Sequence, residues 1–184
     1  MNYKIAVSGA AAGECVKGSK EKAEEVGRSV AEHGFVLTTG ATSGVPYYAA
    51  KGAKKAGGTV IGFSPAVSKI AHLKTYKLPL DYHDLIVYTG FDYAGRNLIL
   101  TRSADAVIVV CGRIGTLNEF TVAFEDNRVI GILEGSGGIA DHVRSILDIA
   151  KRGEGRIVFD KDPRKLVDKV ASELKKEDAK IKKS

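Results

Sequence analysis

A run of five apolar residues, followed at once by a glycine-containing turn and a helical pattern, constrains the fold of this chain most strongly. The run is Ala106–Val110, and it leads through Cys111 into the turn Gly112–Thr116. Short runs rich in Val and Ile and bounded by turn signals are typical of a strand buried on both faces of a parallel sheet. The turn leaves backbone N–H groups without helical partners, and such groups attract a phosphate. The segment therefore predicts a central strand with an anion site at its carboxyl end.

Apolar runs and amphipathic stretches alternate along the rest of the chain in the same way. The apolar runs predict seven strands, at residues 3–8, 35–38, 59–64, 85–88, 106–111, 129–133 and 157–160. The amphipathic stretches predict six helices, at residues 19–33, 45–56, 91–103, 116–125, 139–151 and 163–175. Such alternation implies right-handed crossovers between parallel strands. The sequence therefore predicts a single-domain Rossmann-like α/β fold, a three-layer sandwich of about seven mostly parallel strands with helices on both faces.

Length and charge bound the organisation of the chain. Its 184 residues fit one domain, which we place at residues 1–175, with a basic, flexible tail at residues 176–184. The net charge is +6, of which the last ten residues carry +3, so nucleic acid is not an expected partner. No apolar stretch approaches the roughly 20 residues that span a bilayer, and residues 1–20 lack a secretory pattern. We therefore expect a cytoplasmic protein with no membrane partner.

The cysteines and histidines do not form an evident disulfide framework or metal site. Cys15 falls in an expected loop and Cys111 at a strand end, and we expect both to be free thiols. A catalytic thiol at Cys111 is the alternative, but no histidine lies near it in sequence. His72, His83 and His142 are scattered without a second ligand at metal spacing, so we expect no metal and no resident cofactor.

Four loops should meet where the strands end, which is where open α/β sheets bind their ligands. These loops are residues 9–18, 39–44, 89–95 and 112–116. The first begins GAAAG, so the G-x-G-x-x-G dinucleotide fingerprint is absent, as is the P-loop pattern. This argues against an NAD enzyme and a P-loop ATPase. The segment 65–84 is long and irregular enough to cover a ligand.

Residues 3–133 resemble the Lonely Guy-like Rossmann family, whose members are often mislabelled as lysine decarboxylases. Its wider superfamily includes molybdenum-cofactor carrier proteins and a domain of the DNA-processing protein of natural transformation. The family signature P-G-G-x-G-T-x-x-E aligns with residues 111–119, where Cys111 replaces the proline and Arg113 the second glycine. The family's Arg-Lys pair is present as Arg96-Asn97, so the lysine is lost.

The resemblance implies a phosphoribohydrolase with Arg96 and Glu119 as its catalytic pair. A carboxylate near the anomeric carbon can stabilise the positive charge that builds as a base leaves, or activate the attacking water. The arginine can orient that carboxylate or hold the ligand. As simpler alternatives, Glu119 only favours the positive end of a helix, and Arg96 only forms a surface ion pair.

The residues expected to bind a phosphate or nucleotide lie in three of the loops at the carboxyl edge of the sheet. They are Gly9, Gly40, Thr42, Ser43, Gly44, Gly112, Arg113, Ile114, Gly115 and Thr116. The hydroxyls of Thr39, Thr42 and Ser43 could equally cap the following helix. Arg113 adds a cation to the site but places a side chain where the family has glycine. Tyr93 lies close to Arg96 in sequence and is a candidate for stacking on a base.

Two functions remain open at this point. One is a hydrolase that cleaves the N-glycosidic bond of a nucleoside 5′-monophosphate, and not a true lysine decarboxylase. The other is a carrier that holds a nucleotide or a phosphorylated cofactor, such as molybdenum cofactor, without turning it over. The retained Arg96 and Glu119 favour the first, whereas Arg113 and Asn97 favour the second. In both cases we expect a small phosphorylated ligand, and the resemblance implies a homodimer.

Overall fold

The computed structural model describes residues 2–181, and the side chains of residues 2–179. Seven strands form one sheet: β1 (Lys4–Gly9), β2 (Val36–Thr39), β3 (Val60–Ser64), β4 (Leu85–Tyr88), β5 (Ala106–Val110), β6 (Val129–Leu133) and β7 (Ile157–Asp160). The helices are α1 (Glu14–Glu32), α2 (Val45–Lys55), α3 (Asp92–Ser103), α4 (Ile114–Glu125), α5 (Val143–Ala150) and α6 (Pro163–Ile181). All seven predicted strands are confirmed, and the sheet is entirely parallel.

The order of the strands places a switch point at the centre of the sheet. The order is β4-β3-β2-β1-β5-β6-β7, so the chain builds outward from β1 in one direction and then from β5 in the other. β1 and β5 are parallel neighbours, with Ser8 opposite Val109 and Gly9 opposite Val110. Loops that leave two such strands diverge to opposite faces and open a crevice between them. The fold therefore positions a ligand site at the carboxyl ends of β1 and β5.

Apolar side chains cover both faces of the sheet. One cluster joins the sheet to α1, α2 and α6 through residues such as Val26, Ala49 and Leu166. The other joins it to α3, α4 and α5 through residues such as Leu100 and Phe120. Every residue of β5 is buried, as its continuous apolar pattern predicts. Across residues 2–181 none of the helices combines the length and the apolar character that crossing a bilayer requires.

The start of α1 differs from the sequence-based expectation. We expected a loop through Gly18 and a cap at Ser19, but α1 begins at Glu14 after Gly13, whose φ of 111° ends the loop. Ser19 lies inside the helix, where its hydroxyl donates to the carbonyl oxygen of Cys15 at 2.6 Å. The earlier start brings Cys15 into the first helical turn.

Several other elements also differ in detail from the expectation. α4 begins at Ile114 rather than at Thr116. Residues 139–151 divide into a 3₁₀ turn, Gly138–His142, and the shorter helix α5. The irregular segment 65–84 contains one π-helical turn, Ala71–Thr75. α6 continues to Ile181 instead of ending near residue 175, and the remainder of the expected tail, residues 182–184, lies outside the described residues.

The expectation of two free thiols is wrong. Cys15 and Cys111 form a disulfide, and their Cα atoms are 5.8 Å apart, within the usual range for such bonds. The 96 residues that separate them in sequence hid the pairing. In the structure Cys15 lies in the first turn of α1, bonded to the residue that follows β5.

Candidate functional site

A cavity of about 310 Å³ lies at the carboxyl edge of the sheet, at the switch point. This volume is at the lower end of the range for small-molecule sites. All four expected loops contribute to its wall, through residues such as Ala10, Gly40, Tyr93 and Gly115. The meeting of these loops follows from the parallel sheet, since every strand ends at the same edge.

The first turn of α4 forms one wall of the cavity with open backbone donors. The first hydrogen bond of the helix runs from the N–H of Leu117 to the carbonyl oxygen of Arg113 at 2.9 Å. The N–H groups of Ile114, Gly115 and Thr116 therefore precede the helical ladder. No side chain caps this end of α4, and no backbone oxygen among residues 2–181 accepts from these three N–H groups. Open amides at a positive helix end form an anion site.

Arg113 extends the same wall without distorting the turn. Its φ of −130° and ψ of −162° are extended values that any residue adopts, so the side chain that replaces a family glycine causes no backbone strain. The guanidinium is exposed, at the lip of the cavity. Cys111 is the unusual residue, because its φ is +57° and a proline could not adopt that value. The cysteine therefore gives this turn a backbone path different from that of the family signature.

Arg96 and Glu119 form a buried ion pair that also lines the cavity. Arg96 Nη1 donates to Glu119 Oε1 at 2.9 Å, and the two side chains are only 8% and 7% exposed. Arg96 comes from α3 and Glu119 from the second turn of α4, so the pair also joins these two helices. Arg96 Nε is buried, and no atom in the described part of the chain accepts from it. A buried donor without a partner is costly, so this atom is a candidate contact for a ligand.

The carboxylate of Glu119 has further protein donors besides Arg96. The hydroxyl of Ser8, at the end of β1, donates to Oε2. The hydrogen-bond network assigns the amide nitrogen of Asn97 to the side facing Oε1, where it donates at 3.0 Å, and also to the carbonyl oxygen of Tyr93. Burial raises the pKa of Glu119, and the charge of Arg96 and the Ser8 hydroxyl partly offset that rise.

The absence of a side chain at Gly40 leaves room for the guanidinium of Arg96. A Cβ atom on Gly40 would lie 2.2 Å from Arg96 Nη1 and 2.7 Å from Cζ. The close approach of this backbone to the guanidinium therefore requires a glycine, although its φ is not unusual. The glycine-rich turn after β2 thus serves the site by admitting an arginine.

The structure brings most of the expected site residues to one cavity. The cavity is lined by Gly9, Gly40, Thr42, Arg96, Arg113, Ile114, Gly115, Thr116 and Glu119. Ser43 and Gly44 instead line a separate cavity beside α2, which the segment 65–84 closes through Leu73, Lys77, Leu78, Pro79 and Asp81. Gly112 lies behind the turn, where its carbonyl oxygen accepts from the N–H of Ile139 at 3.0 Å.

The hydroxyls of Thr39, Thr42 and Ser43, which we considered as phosphate donors or helix caps, make other contacts within the protein. No side chain caps α2. The hydroxyl of Ser43 donates to the carbonyl oxygen of Ala11 at 3.1 Å, and that of Thr39 pairs with His83 at 2.9 Å. The hydroxyl of Thr42 makes only a long contact, 3.4 Å, with the carbonyl oxygen of Ser43. Among these three residues, only Thr42 lines the Arg96 cavity.

Sequence reasoning did not identify Ser8 as a site residue, and it treated Asn97 only as a departure from the family pair. The available signal for Ser8 was its position as a polar residue at the end of the central strand β1. For Asn97 it was the position beside Arg96 on a helix, although adjacent helical residues do not normally point the same way. Both side chains turn toward Glu119, and that convergence depends on how α3 and α4 pack.

An all-parallel sheet of seven strands, covered by helices on both faces, defines a Rossmann-like α/β protein. The chain belongs to the SLOG cluster4 family, whose family model matches residues 2–167. This agrees with the resemblance to a Lonely Guy-like Rossmann family that the sequence indicates.

Three individual proteins show the extent of the similarity. An uncharacterised protein from Archaeoglobus fulgidus is 34% identical over 123 residues, which cover 67% of this chain and 76% of that protein. The crystal structure of the protein TM1055 is 27% identical, has a TM-score of 0.81, and is matched over 94% of this chain and 99% of that one. The Moco carrier protein from Chlamydomonas reinhardtii is also 27% identical, with a TM-score of 0.77 and coverage of 96% and 99%.

Proposed function

We propose that this protein binds a small phosphorylated ligand in the Arg96 cavity and holds it without turnover. The observation that carries the proposal is the first turn of α4, where the N–H groups of Ile114, Gly115 and Thr116 lack protein acceptors. A phosphate seated there would accept from backbone amides and lie at the positive end of a 12-residue helix. The exposed guanidinium of Arg113 adds a mobile cation at the same edge.

The buried ion pair offers a second, weaker contact. Arg96 Nε has no acceptor in residues 2–179, but the negative charge of Glu119 balances the charge of Arg96. A neutral acceptor, such as a carbonyl or hydroxyl oxygen of the ligand, therefore suits this position better than a second phosphate. The site favours a ligand with a phosphate at one end and polar, uncharged acceptors at the other.

The environment of Glu119 supports a carrier over a hydrolase. Its carboxylate accepts from Arg96, Ser8 and Asn97, which uses most of the lone-pair directions that could activate a water. The similarity to a Moco carrier protein points the same way. A phosphorylated cofactor such as molybdenum cofactor, or a nucleotide, is the cargo that these features fit, and the α4 turn with Arg113 would hold its phosphate.

Calorimetric titration with inorganic phosphate, ribose 5-phosphate and AMP tests the proposal. We expect all three to bind, and Arg113→Ala to weaken each by about tenfold, because a charge-assisted contact contributes about 1.5–3 kcal/mol when well ordered and less at an exposed lip. Arg102→Ala is the matched control, since Arg102 pairs with Asp126 outside the cavity. If wild type, Arg113→Ala and Arg102→Ala bind these ligands equally, or if none of them binds any ligand, the proposal is contradicted.

A second candidate is the phosphoribohydrolase, which the raised pKa of Glu119 favours. A buried carboxyl with a raised pKa can donate a proton to a leaving base. Purified protein incubated with AMP would then release free base and ribose 5-phosphate, and Glu119→Gln would lower the rate by about a hundredfold or more with little change in AMP affinity. If wild-type protein binds AMP and releases no base, the hydrolase is excluded and the carrier function remains.

A further inference from the structure

Three segments of the chain meet behind the phosphate-binding turn. Cys111 is the last residue before that turn, and its sulfur is bonded to that of Cys15 in the first turn of α1. Gly137, in the loop after β6, packs directly on Cys15, since a Cβ atom at Gly137 would lie 3.1 Å from that of Cys15. The disulfide is therefore the point at which α1, the α4 turn and the β6 loop are joined.

We propose that the Cys15–Cys111 pair is a reversible redox-modification site that controls how firmly the cavity holds its ligand. In the oxidised protein the disulfide fixes the first turn of α1 against the phosphate-binding turn. In the reduced protein that turn of α1 can move away, and the phosphate-binding turn loses one rigid support.

The start of α1 has few other attachments. Residues 10 and 11 are held to α2 and the turn before it, by the N–H of Val45 on the Ala10 carbonyl oxygen at 2.9 Å and by the Ser43 hydroxyl on that of Ala11. From Gly13 to Cys15, the hydrogen bonds found within residues 2–181 stay inside α1 itself. The start of α1 has no side-chain cap. The disulfide is thus the main tie that holds this turn in place.

The loop that leads into α1 lies beside the cation of the cavity. A Cβ atom on Gly13 would lie 3.9 Å from Cδ of Arg113, and Ala11 lines the cavity. Movement of α1 would therefore free the Arg113 side chain and widen the mouth. A site that must be ordered by its ligand binds more weakly than a preorganised one.

Cys111 itself is held from the other side. Its N–H donates to the Ser136 hydroxyl at 2.7 Å, and its carbonyl oxygen accepts from the N–H of Ala140 at 2.9 Å. These bonds keep the end of β5 in place when the disulfide is open. Reduction should therefore loosen α1 and not unfold the turn, so the ligand is held less tightly but is still bound.

Exposure determines which sulfur reacts. Cys111 is fully buried, whereas Cys15 is half-buried, so a small thiol reaches Cys15. The thiolate of the small thiol attacks Cys15 Sγ and forms a mixed disulfide with it. This displaces Cys111 as a thiolate, which takes a proton. A second thiol then displaces Cys15 and leaves as the oxidised small-molecule disulfide. Oxidation by such a disulfide runs through the same steps in reverse.

The ligand readout of this inference rests on the proposed function, so the experiment also contains readouts that need no ligand. The full-length protein is equilibrated in glutathione buffers of graded oxidation, and its free thiols are counted by alkylation and mass spectrometry. Phosphate and AMP affinities and the hydrogen exchange of residues 10–18 are then measured on the oxidised and reduced forms. Cys15→Ser is the matched variant, since it cannot form the bridge.

We expect two thiols to disappear and return together, residues 10–18 to exchange faster in the reduced form, and phosphate to bind at least about threefold more weakly. Cys15→Ser should match the reduced protein in every glutathione buffer. A thiol count that stays at two in oxidising buffer overturns the inference, as does equal exchange in both forms. If neither form binds phosphate, the proposed function fails, and the exchange of residues 10–18 alone decides whether the disulfide controls this segment.

Discussion

At the residue scale, the charges of the cavity are divided between a buried ion pair and an exposed helical turn. Arg96 is neutralised by Glu119 at 2.9 Å, so the buried pair is polar but carries little net charge. The positive potential comes from the α4 turn and Arg113, where no acidic residue occupies the first helical turn. In the proposed function, the α4 turn would attract the phosphate and the neutralised pair would not, which would orient the ligand before any specific contact forms.

Glu119→Gln should change how stability depends on pH. Burial raises the pKa of Glu119 in the folded protein, so folding favours the protonated form. As pH rises from the unfolded value, about 4.3, through the raised folded pKa, wild type loses unfolding free energy relative to the variant. The loss is about 1.4 kcal/mol for each unit of the rise, and it stops above the folded pKa.

Urea unfolding of wild type and Glu119→Gln from pH 4 upward, in about half-unit steps, measures this difference. The comparison removes the contributions of other acids, such as Asp84 and Asp160, whose pKa values are lowered and which act in the opposite direction. A difference that grows in favour of wild type with rising pH would mean that Arg96 outweighs the burial.

Gly40→Ala should disturb the ion pair directly. The added Cβ atom would overlap Arg96 Nη1 and Cζ, so the guanidinium must leave its position against Glu119. We expect a loss of about 1–3 kcal/mol in unfolding free energy and weaker AMP binding. Gly18→Ala is the control, because a Cβ there meets no atom within 4 Å and should stabilise α1 slightly. Equal stability of the two variants would contradict this account of Gly40.

At the element scale, the packing of α1 on α2 is the most closely fitted contact of the fold. Gly27 on α1 lies against the backbone of α2, where a Cβ atom would be 1.9 Å from the carbonyl oxygen of Ala49. Gly52 on α2 makes the reciprocal approach to Glu24. Each glycine costs some helix propensity, and the close packing of two helices over β1 and β2 compensates for it.

Gly27→Ala should therefore separate the two helices. The clash is with backbone, which cannot rotate away as a side chain can, so we expect about 3 kcal/mol of destabilisation, at the upper end for overpacked sites. The measurement is the urea midpoint at unchanged slope, with Gly18→Ala on the same helix as control. A midpoint within error of wild type would show that α1 tilts freely and that the contact is not restrictive.

The elements also show what the sequence could and could not reveal. All seven strands follow from apolar runs bounded by turn residues, because burial on both faces leaves a local pattern. The start of α1 leaves no such local pattern. It has no capping side chain, and a disulfide joins Cys15 to a residue 96 positions away. Arg96 and Glu119 could be found from the sequence because they belong to a motif. Ser8 could not, because only the register of β1 beside β5 makes it a site residue.

At the scale of the whole molecule, one edge of the sheet exposes a group of apolar side chains. β4 is an edge strand, and its Leu85 and Val87 are 56% and 38% exposed. Val67 and Phe91 lie beside the end of the same strand, at 74% and 66% exposure. An uncharged apolar edge invites pairing with another chain, and a second copy can cover it by twofold symmetry.

We therefore expect a homodimer formed through the β4 edge. Light scattering over a concentration series should give about twice the 19.6 kDa of one chain, and the double variant Leu85→Lys/Phe91→Lys should give one chain, because burying the added lysines at a symmetric contact is costly. Ile149→Lys is the control, since Ile149 is 81% exposed on α5, away from β4 in the fold. Wild type at one chain mass throughout the series would refute the dimer, and a dimer that survives the double variant would place its interface elsewhere.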